Sequence, residues 1–297
     1  MFKRQRILLS IIQHGPQPMP RTLLVKLAFL LRAETGLPSA VPFYDFVPYR
    51  YGPFSFALYH ELGRLVASGH VARDVKGLCL TVVGRDFAWQ VTPRFNDTVS
   101  SAIARIATRH SGRGLQSVRE YVYERYPWYA SRSRSRAATP RPAADDRTLP
   151  KRIYSVGYEG VSVDLVFNAL LRHGITRLVD VRANAVSRRY GFAKRTLLRV
   201  SARLGIDYDH APALGIPPER RRQAVNDESL GQMLDDYEES LQQERQTDVL
   251  RLADTLMATS AAFMCVERDP RKCHRTRLVR VLSGCTGLPV KPLLDRS

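Results

Sequence analysis

The chain has 297 residues, of which 44% are hydrophobic and 25% charged, so it has enough apolar side chains for two packed cores. No apolar stretch approaches the roughly 20 residues of a membrane span, and residues 1–6 lead into an amphipathic pattern rather than a signal peptide. The four cysteines are too few and too irregularly spaced for a disulfide framework. These features argue against a membrane or secreted protein and predict a cytoplasmic one.

Basic residues strongly outnumber acidic ones. Lys and Arg number 46 against 28 Asp and Glu, a formal net charge of +18. Up to residue 150 the chain holds 22 of these basic and 10 of these acidic residues, so the excess is concentrated in the first half. This asymmetry favours a nucleic-acid partner, DNA more than RNA. The alternative is an Arg-rich genome that raises Arg throughout the chain.

The pattern before residue 130 predicts short helices followed by a small hairpin. Apolar residues at helical spacing predict helices over 6–13 and 21–31, and a third helix that ends at Gly69. Two short strands, 70–72 and 78–82, would then form the wing of a winged helix-turn-helix.

Residues 49–55, YRYGPFS, are followed by a helix and a Gly-bounded strand. In this they resemble the winged-helix antitoxin-like and adaptor-like domains often called Panacea, over roughly residues 5 to 90. The resemblance implies a domain that binds either DNA or a partner protein. Two more helical patterns follow, and their arginines form either a basic nucleic-acid face or a solvated helical extension: Arg105, Arg109, Arg113, Arg119 and Arg125.

The chain divides between residues 131 and 150. Ser and Arg alternate there without hydrophobic periodicity, and prolines follow, which predicts a flexible basic linker. We therefore predict a winged-helix domain with a helical extension over 1–130, the linker over 131–150, and a second domain over 151–297.

The second domain alternates strand and helix. Strand patterns are predicted at 152–156, 175–181, 206–210 and 261–264, with an edge strand at 288–292. Helical patterns are predicted at 162–173, 194–204, 230–243, 248–258 and 276–282, the last ending at Gly284. This alternation predicts an α/β fold with an open, mostly parallel sheet.

Polar residues follow the first three predicted strands at their carboxyl ends. Tyr158 follows the first strand, Asp180 and Arg182 the second, and Tyr208 and His210 the third. Since ligands of such sheets bind at this edge, we expect these side chains to face one crevice. The alternatives left open are a buried ion pair of Asp180 with an arginine and a satisfied, half-buried His210.

The fourth strand runs into a turn with the most concentrated chemistry in the chain. Cys265, Glu267, Cys273, His274 and Arg275 lie within eleven residues of each other. Within this turn an Asp-Pro pair at 269–270 supplies a helix N-cap and first helical residue, which predicts a strand, a turn and a helix in succession.

These motifs, Gly-Tyr, Asp-Val-Arg, Tyr-x-His-x-Pro-x-Leu-Gly and Cys-x-Glu…Cys-His-Arg, resemble in their order the bacterial domain of unknown function 488 family. The resemblance covers residues 152–293. It implies an α/β fold with a polar crevice but no reaction, and many relatives show Gly-His where this chain has Gly157-Tyr158. The implied crevice residues are Tyr158, Asp180, Arg182, His210, Cys265, Glu267, Cys273, His274 and Arg275.

Three chemistries fit this set less well. A phosphatase loop needs consecutive backbone N–H donors, but Pro270 removes one and acidic residues surround it. A rhodanese-like persulfide site would have a shorter, less acidic loop. Zinc ligation by Cys265, Cys273, His274 and His210 is disfavoured because adjacent side chains in a helix diverge by about 100°. We assign no metal and no cofactor from the sequence.

The remaining hypothesis is an anion-binding enzyme site. Arg182, Arg188 and Arg275 would bind a phosphate-bearing ligand, and Glu267 or Asp180 would be the general acid or base. A helix-start Cys273 should have a lowered pKa and act as a nucleophile or redox-sensitive thiol. Cys265 and His274 complete the candidate catalytic set. We predict a nucleic-acid- or nucleotide-directed enzyme; the alternative is a DNA-binding regulator or antitoxin-like module whose crevice senses a ligand or redox state.

Overall fold

The computed structural model describes residues 2–37, 41–89, 97–111, 114–135 and 151–294. The chain divides into two compact units, Met1–Pro142 and Ala143–Ser297. Most of the predicted linker, 136–150, lies outside the described residues, as does Arg113 of the predicted basic face. Ser133 and Arg134, at the start of the predicted linker, are hydrogen bonded to the N-terminal unit through the Arg50 carbonyl.

The N-terminal unit is rich in helices. Its described helices are α1 (Lys3–His14), α2 (Arg21–Glu34), α3 (Phe56–Ala67), α4 (Val82–Trp89), α5 (Asp97–Ser111), α6 (Gly114–Arg125) and α7 (Pro127–Ala130). Its strands form two antiparallel hairpins, β1 (Val47–Tyr49) with β2 (Gly52–Phe54), and β3 (Val71–Arg73) with β4 (Leu78–Leu80).

Local sequence signals explain the boundaries of α3. The hydroxyl oxygen of Ser55 accepts a hydrogen bond from the Leu58 N–H and so caps the first turn. Gly69 ends the helix with φ at 72°, a left-handed conformation that glycine adopts without steric cost. Two expectations differ from the structure: 47–54 forms a hairpin that was not predicted, and the strand expected at 78–82 stops at Leu80 because α4 begins at Val82.

The C-terminal unit has strands and helices in the predicted order, with one further helix at 218–223 that was not predicted. Its strands are β5 (Ile153–Gly157), β6 (Arg177–Asp180), β7 (Asp207–His210), β8 (Ala261–Cys265) and β9 (Val290–Pro292). Its α-helices are α8 (Val163–Arg172), α9 (Lys194–Leu204), α10 (Pro218–Gln223), α11 (Asp227–Gln242), α12 (Gln246–Ala258) and α13 (His274–Thr286).

The five strands form one parallel sheet in the order β7-β6-β8-β5-β9, which confirms the predicted α/β class. The last residues of four strands are neighbours in the register: Asp180 lies opposite His210, and Gly157 lies opposite Cys265. Every residue of β8 is buried, as expected for a central parallel strand. The carboxyl ends named in the sequence therefore do lie along one edge of one sheet.

Helix α13 starts and ends differently from the prediction. Asp269 and Pro270 begin a single 3-10 turn, Pro270–Lys272, and the α-helix starts only at His274. The helix continues through Gly284 and ends before Gly287, whose φ of 70° is left-handed. Cys273 therefore precedes the helix in an extended conformation instead of lying in its first turn.

Among the described helices, none combines the length and apolar character needed to cross a bilayer.

Candidate functional site

The carboxyl end of β6 holds a buried ion pair. Asp180 is fully buried and Arg182 is 4% exposed. The Arg182 guanidinium donates to both Asp180 carboxylate oxygens, from Nε at 2.8 Å and from Nη2 at 2.5 Å. The backbone N–H of Arg182 also donates to Asp180 Oδ1 at 3.2 Å. This is the bidentate geometry in which an arginine and a carboxylate bind each other most strongly.

Three aromatic residues complete the environment of that pair. The Tyr158 hydroxyl accepts from Arg182 Nη1 at 2.8 Å, and its ring stacks on Phe192 with centroids 4.1 Å apart. The Tyr208 hydroxyl donates to Asp180 Oδ2 at 2.7 Å. Burial and the adjacent Asp180 carboxylate raise the pKa of Tyr208, so it stays a neutral donor.

The contacts of Arg182 limit its role. Besides Asp180 and Tyr158, its guanidinium donates to the Phe192 carbonyl, and its own carbonyl pairs with His210 Nε2 at 2.9 Å. Burial opposes the charged form of Arg182, but Asp180 outweighs it and raises the pKa. These contacts are those of the buried ion pair that the sequence left open as an alternative, with Asp180 and Arg182 held by the protein itself.

The turn after β8 gathers a second group of polar side chains. One ligand-capable atom from each of Cys265, Glu267, Cys273 and His274 lies within 4.8 Å of the others. The group forms because alternate residues at the end of a strand point the same way, and because the 3-10 turn brings the chain back to Cys273. The Asp269 carboxylate caps that turn by accepting from the Arg271 N–H.

Hydrogen bonds connect the members of this group. Both thiols donate to the same oxygen, Glu267 Oε2, from Cys265 Sγ at 3.2 Å and from Cys273 Sγ at 3.3 Å. The Nδ1 atom of His274 lies 3.8 Å from Cys265 Sγ. The other ring nitrogen, Nε2, is 3.0 Å from the Val181 carbonyl, so it carries the proton and leaves the Nδ1 lone pair towards the thiols.

The electrostatics correct the expectation for Cys273. Its thiol is 1% exposed, and burial, with the neighbouring Cys265, raises its pKa well above the usual range despite the opposing effect of Arg275. The prediction of a lowered pKa was wrong, because Cys273 is desolvated at the N-cap instead of being solvated in a helix first turn.

Glu267 behaves differently. Burial alone would raise its pKa, but hydrogen bonds from its own backbone N–H and from Cys265, with the charge of Arg221, lower the pKa below its usual value. The Arg221 guanidinium lies 3.4 Å from Glu267 Oε1. Glu267 is therefore an anionic acceptor held between two thiols and an arginine.

Arg275 is buried beside the same group. Its Nε donates to Ser155 Oγ at 2.7 Å, and its Nη1 approaches Cys273 Sγ at 3.4 Å and the Glu267 carbonyl at 3.3 Å. Arg188 is exposed in the segment after β6. The three arginines predicted to bind an anion together thus have three different environments.

A cavity of about 1050 Å³ opens at the carboxyl ends of β5 and β9. Its charged lining residues are Glu159, Arg268, Asp269, Arg271 and Arg275, and its apolar lining includes Val161, Leu165 and Val279. Of the predicted site residues, Arg275 is the one in its lining. Glu159, Arg268 and Arg271 were not among the predicted site residues, although their position after strand ends was an available signal.

The structure therefore divides the predicted set. Tyr158, Asp180, Arg182, Tyr208 and His210 form one hydrogen-bonded group, and Cys265, Glu267, Cys273, His274 and Arg275 form the other. His274, bonded to the Val181 carbonyl between Asp180 and Arg182, joins the two.

Comparison with known proteins adds one finding. Residues 162–282 match the family model described as Domain of unknown function DUF488. The DUF488 match contains β6, β7, β8 and the Cys265 group, and it supports the family resemblance of the C-terminal unit over those residues. It does not reach the N-terminal unit, whose winged-helix and Panacea resemblance stays a prediction. No curated protein and no solved structure matches the chain.

Proposed function

We propose that the C-terminal unit is an enzyme that binds a phosphate-bearing ligand, a nucleotide or a nucleic-acid end, in the cavity beside β5. The observation that carries the proposal is the composition of the cavity lining, which combines three guanidinium groups with aliphatic side chains. Guanidinium groups suit phosphate, and apolar walls suit the flat face of a base.

The three arginines of the cavity lining would have different roles in binding the phosphate. Arg268 and Arg271 are exposed, and Arg271 is oriented by Asp269 at 2.9 Å. Arg275 is held by Ser155 and adds a fixed positive charge beneath them. Glu159, also in the lining, accepts from the Arg268 N–H at 3.2 Å and supplies the carboxylate for general acid or base chemistry.

Replacing Arg268 and Arg271 together with Ala should weaken the binding of AMP and GMP by about tenfold or more per guanidinium, because each charged hydrogen bond contributes about 1.5–3 kcal/mol. Isothermal titration calorimetry on the full chain measures this. Adenosine and guanosine serve as ligands without phosphate, and Arg251→Ala, an exposed arginine on α12, is the matched control.

Turnover is tested with the same probes and a 5′-phosphorylated oligonucleotide. Glu159→Gln should still bind these ligands but should no longer convert them. Chromatography of the products measures the conversion. If the full chain binds these ligands and returns them unchanged, the ligand-sensing regulator becomes the better function. Equal affinity for AMP and adenosine would eliminate the phosphate site altogether.

We propose further that the N-terminal unit binds DNA. It carries most of the charge excess, and Arg64, Arg73, Lys76 and Arg85 are exposed on α3, on the β3–β4 hairpin and on α4. These positions suit contacts with the phosphate backbone, which carry no sequence preference.

DNA affinity of the full chain should therefore fall steeply as salt rises. Changing Arg73 and Lys76 together to Ala should reduce the slope of log K against log salt by about 2, roughly one for each phosphate that is no longer neutralised. Fluorescence anisotropy with a labelled duplex measures the slope, with Arg251→Ala again as the control. Salt-independent binding, or none at low salt, would instead favour a protein partner for this unit.

A further inference from the structure

We propose that Cys265, Glu267, Cys273 and His274 bind one zinc ion, with one ligand atom from each residue. The inference goes beyond the function proposed above and does not depend on it, because the ligands are a different set of side chains from the cavity arginines.

The spacing of the four ligand atoms suits a tetrahedral site. With metal–sulfur bonds of about 2.3 Å and metal–nitrogen or metal–oxygen bonds of about 2.0–2.2 Å, the edges of a tetrahedron are roughly 3.3–3.8 Å long. Cys265 Sγ and Cys273 Sγ lie 3.2 and 3.3 Å from Glu267 Oε2, and Cys265 Sγ lies 3.8 Å from His274 Nδ1. All four atoms are within 4.8 Å of one another, so small side-chain shifts would close the site.

Cys273 and His274 are adjacent in the chain, which disfavoured zinc as long as both were expected to lie in a helix. In a helix their side chains would diverge, but Cys273 has φ −124° and ψ 125°, an extended conformation, and the helix starts at His274. The backbone changes direction between the two residues, so both side chains face the same point. The ligand set also differs from the one expected from the sequence, with Glu267 in place of His210.

His274 is already oriented as a ligand. Its Nε2 donates to the Val181 carbonyl at 3.0 Å, which fixes the tautomer with a free lone pair on Nδ1. Zinc-binding histidines usually donate their other ring N–H to a carbonyl or carboxylate in this way. A histidine that served only in packing would not need its unprotonated nitrogen 3.8 Å from the Cys265 thiol.

Two nearby arginines offset the excess negative charge of the ligands around a bound ion. Two thiolates and a carboxylate exceed the charge of Zn²⁺ by one negative charge. Arg275 Nη1 lies 3.4 Å from Cys273 Sγ, and Arg221 lies 3.4 Å from Glu267 Oε1. Binding releases two thiol protons to solvent, and the two guanidinium groups stabilise the anions that remain.

The donor set also selects the metal and its role. Thiolate and imidazole ligands favour zinc over magnesium or calcium. Four protein ligands leave no open position, which is the arrangement of a structural site. The ion would join the end of β8 to the start of α13 and hold the turn between them, from which Arg268 and Arg271 reach the cavity.

The test uses the full chain, stripped with a chelator and titrated with Co²⁺ and then Zn²⁺. We expect one equivalent per chain, a thiolate-to-cobalt charge-transfer band with the intensity of two thiolates, and the visible bands of tetrahedral cobalt. Zinc should displace the cobalt. Cys265→Ser or Cys273→Ser should lower affinity by more than the roughly 10–100-fold that loss of an outer-shell partner costs.

Cys285→Ser is the matched control, because Cys285 is an exposed thiol outside the group, and it should bind the metal like the unmodified chain. Absence of the two-thiolate band in the folded, unmodified chain overturns the proposal. Loss of metal binding in the Cys285→Ser variant overturns it too. Neither measurement requires a Cys265 or Cys273 variant to fold. The Arg268 and Arg271 double variant should keep one equivalent of metal. Its metal content thus separates failure of the zinc site from failure of the nucleotide proposal.

Discussion

Replacing Arg182 with Leu is expected to lower the free energy of unfolding of the C-terminal unit by about 3–5 kcal/mol, because it leaves Asp180 charged and fully buried without its partner. Among the residues that the structure describes, Tyr208 would be the remaining side-chain donor to that carboxylate. Differential scanning calorimetry of the full chain, with hydrogen exchange of the β6 and β8 peptides, measures the loss and places it in this unit.

The control for this variant is Arg222→Ala. Arg222 pairs with Glu219 at 3.1 Å, but both side chains are exposed, so its loss should cost no more than about 1 kcal/mol. Replacing Asp180 and Arg182 together with Leu should recover part of the stability, since no unpaired charge is left. An Arg182→Leu cost as small as that of Arg222→Ala would mean that the pair is solvated.

Replacing Gly157 with Ala is expected to destabilise the C-terminal unit by about 1–3 kcal/mol and to displace the turn that carries Glu267 and Arg268. A methyl group at Gly157 would overlap the Glu267 carbonyl oxygen and would approach the Arg268 Cα at 2.9 Å. These are backbone atoms, so the strain cannot be relieved by rotating a side chain. Nucleotide binding and metal binding should both weaken in this variant.

Gly284→Ala provides the comparison at a second glycine of the same unit. A methyl group there meets no atom within 4 Å, and the residue lies inside α13. Alanine should therefore be neutral or should stabilise the helix, by up to about 1 kcal/mol. Thermal unfolding of the two variants side by side checks the argument, and similar values would show that the turn at 266–268 adapts.

Much of the fold could be predicted because its signals are local. Helix α9 spans Lys194–Leu204 as the pattern predicted, and Gly205 ends it in a left-handed conformation with φ of 64°. The order of the strands and of the longer helices after residue 150 could be predicted from the period of the hydrophobic residues and from the helix breakers alone. The β1–β2 hairpin was missed because each of its strands contains a proline, Pro48 or Pro53, and proline within a run argues against a strand.

The position of a polar residue at the end of a predicted strand was a useful signal for the candidate site. Asp180, His210 and Cys265 each end a strand of the sheet, and the register brings them to one edge. Which side chains pair could not be predicted, because the partners are far apart in the sequence. Tyr158 and Tyr208 meet the ion pair from 24 and 28 residues away, a selection that only folding makes.

By itself, the sequence determined the α/β class of the C-terminal unit and the concentration of thiol, carboxylate and imidazole groups after β8. Only the tertiary structure decided what those groups face. A 3-10 turn of three residues moves Cys273 out of the helix, buries its thiol and places it on Glu267. The chain before this turn packs against β5, where the backbone of Glu267 and Arg268 lies against Gly157, a long-range contact that no local pattern encodes.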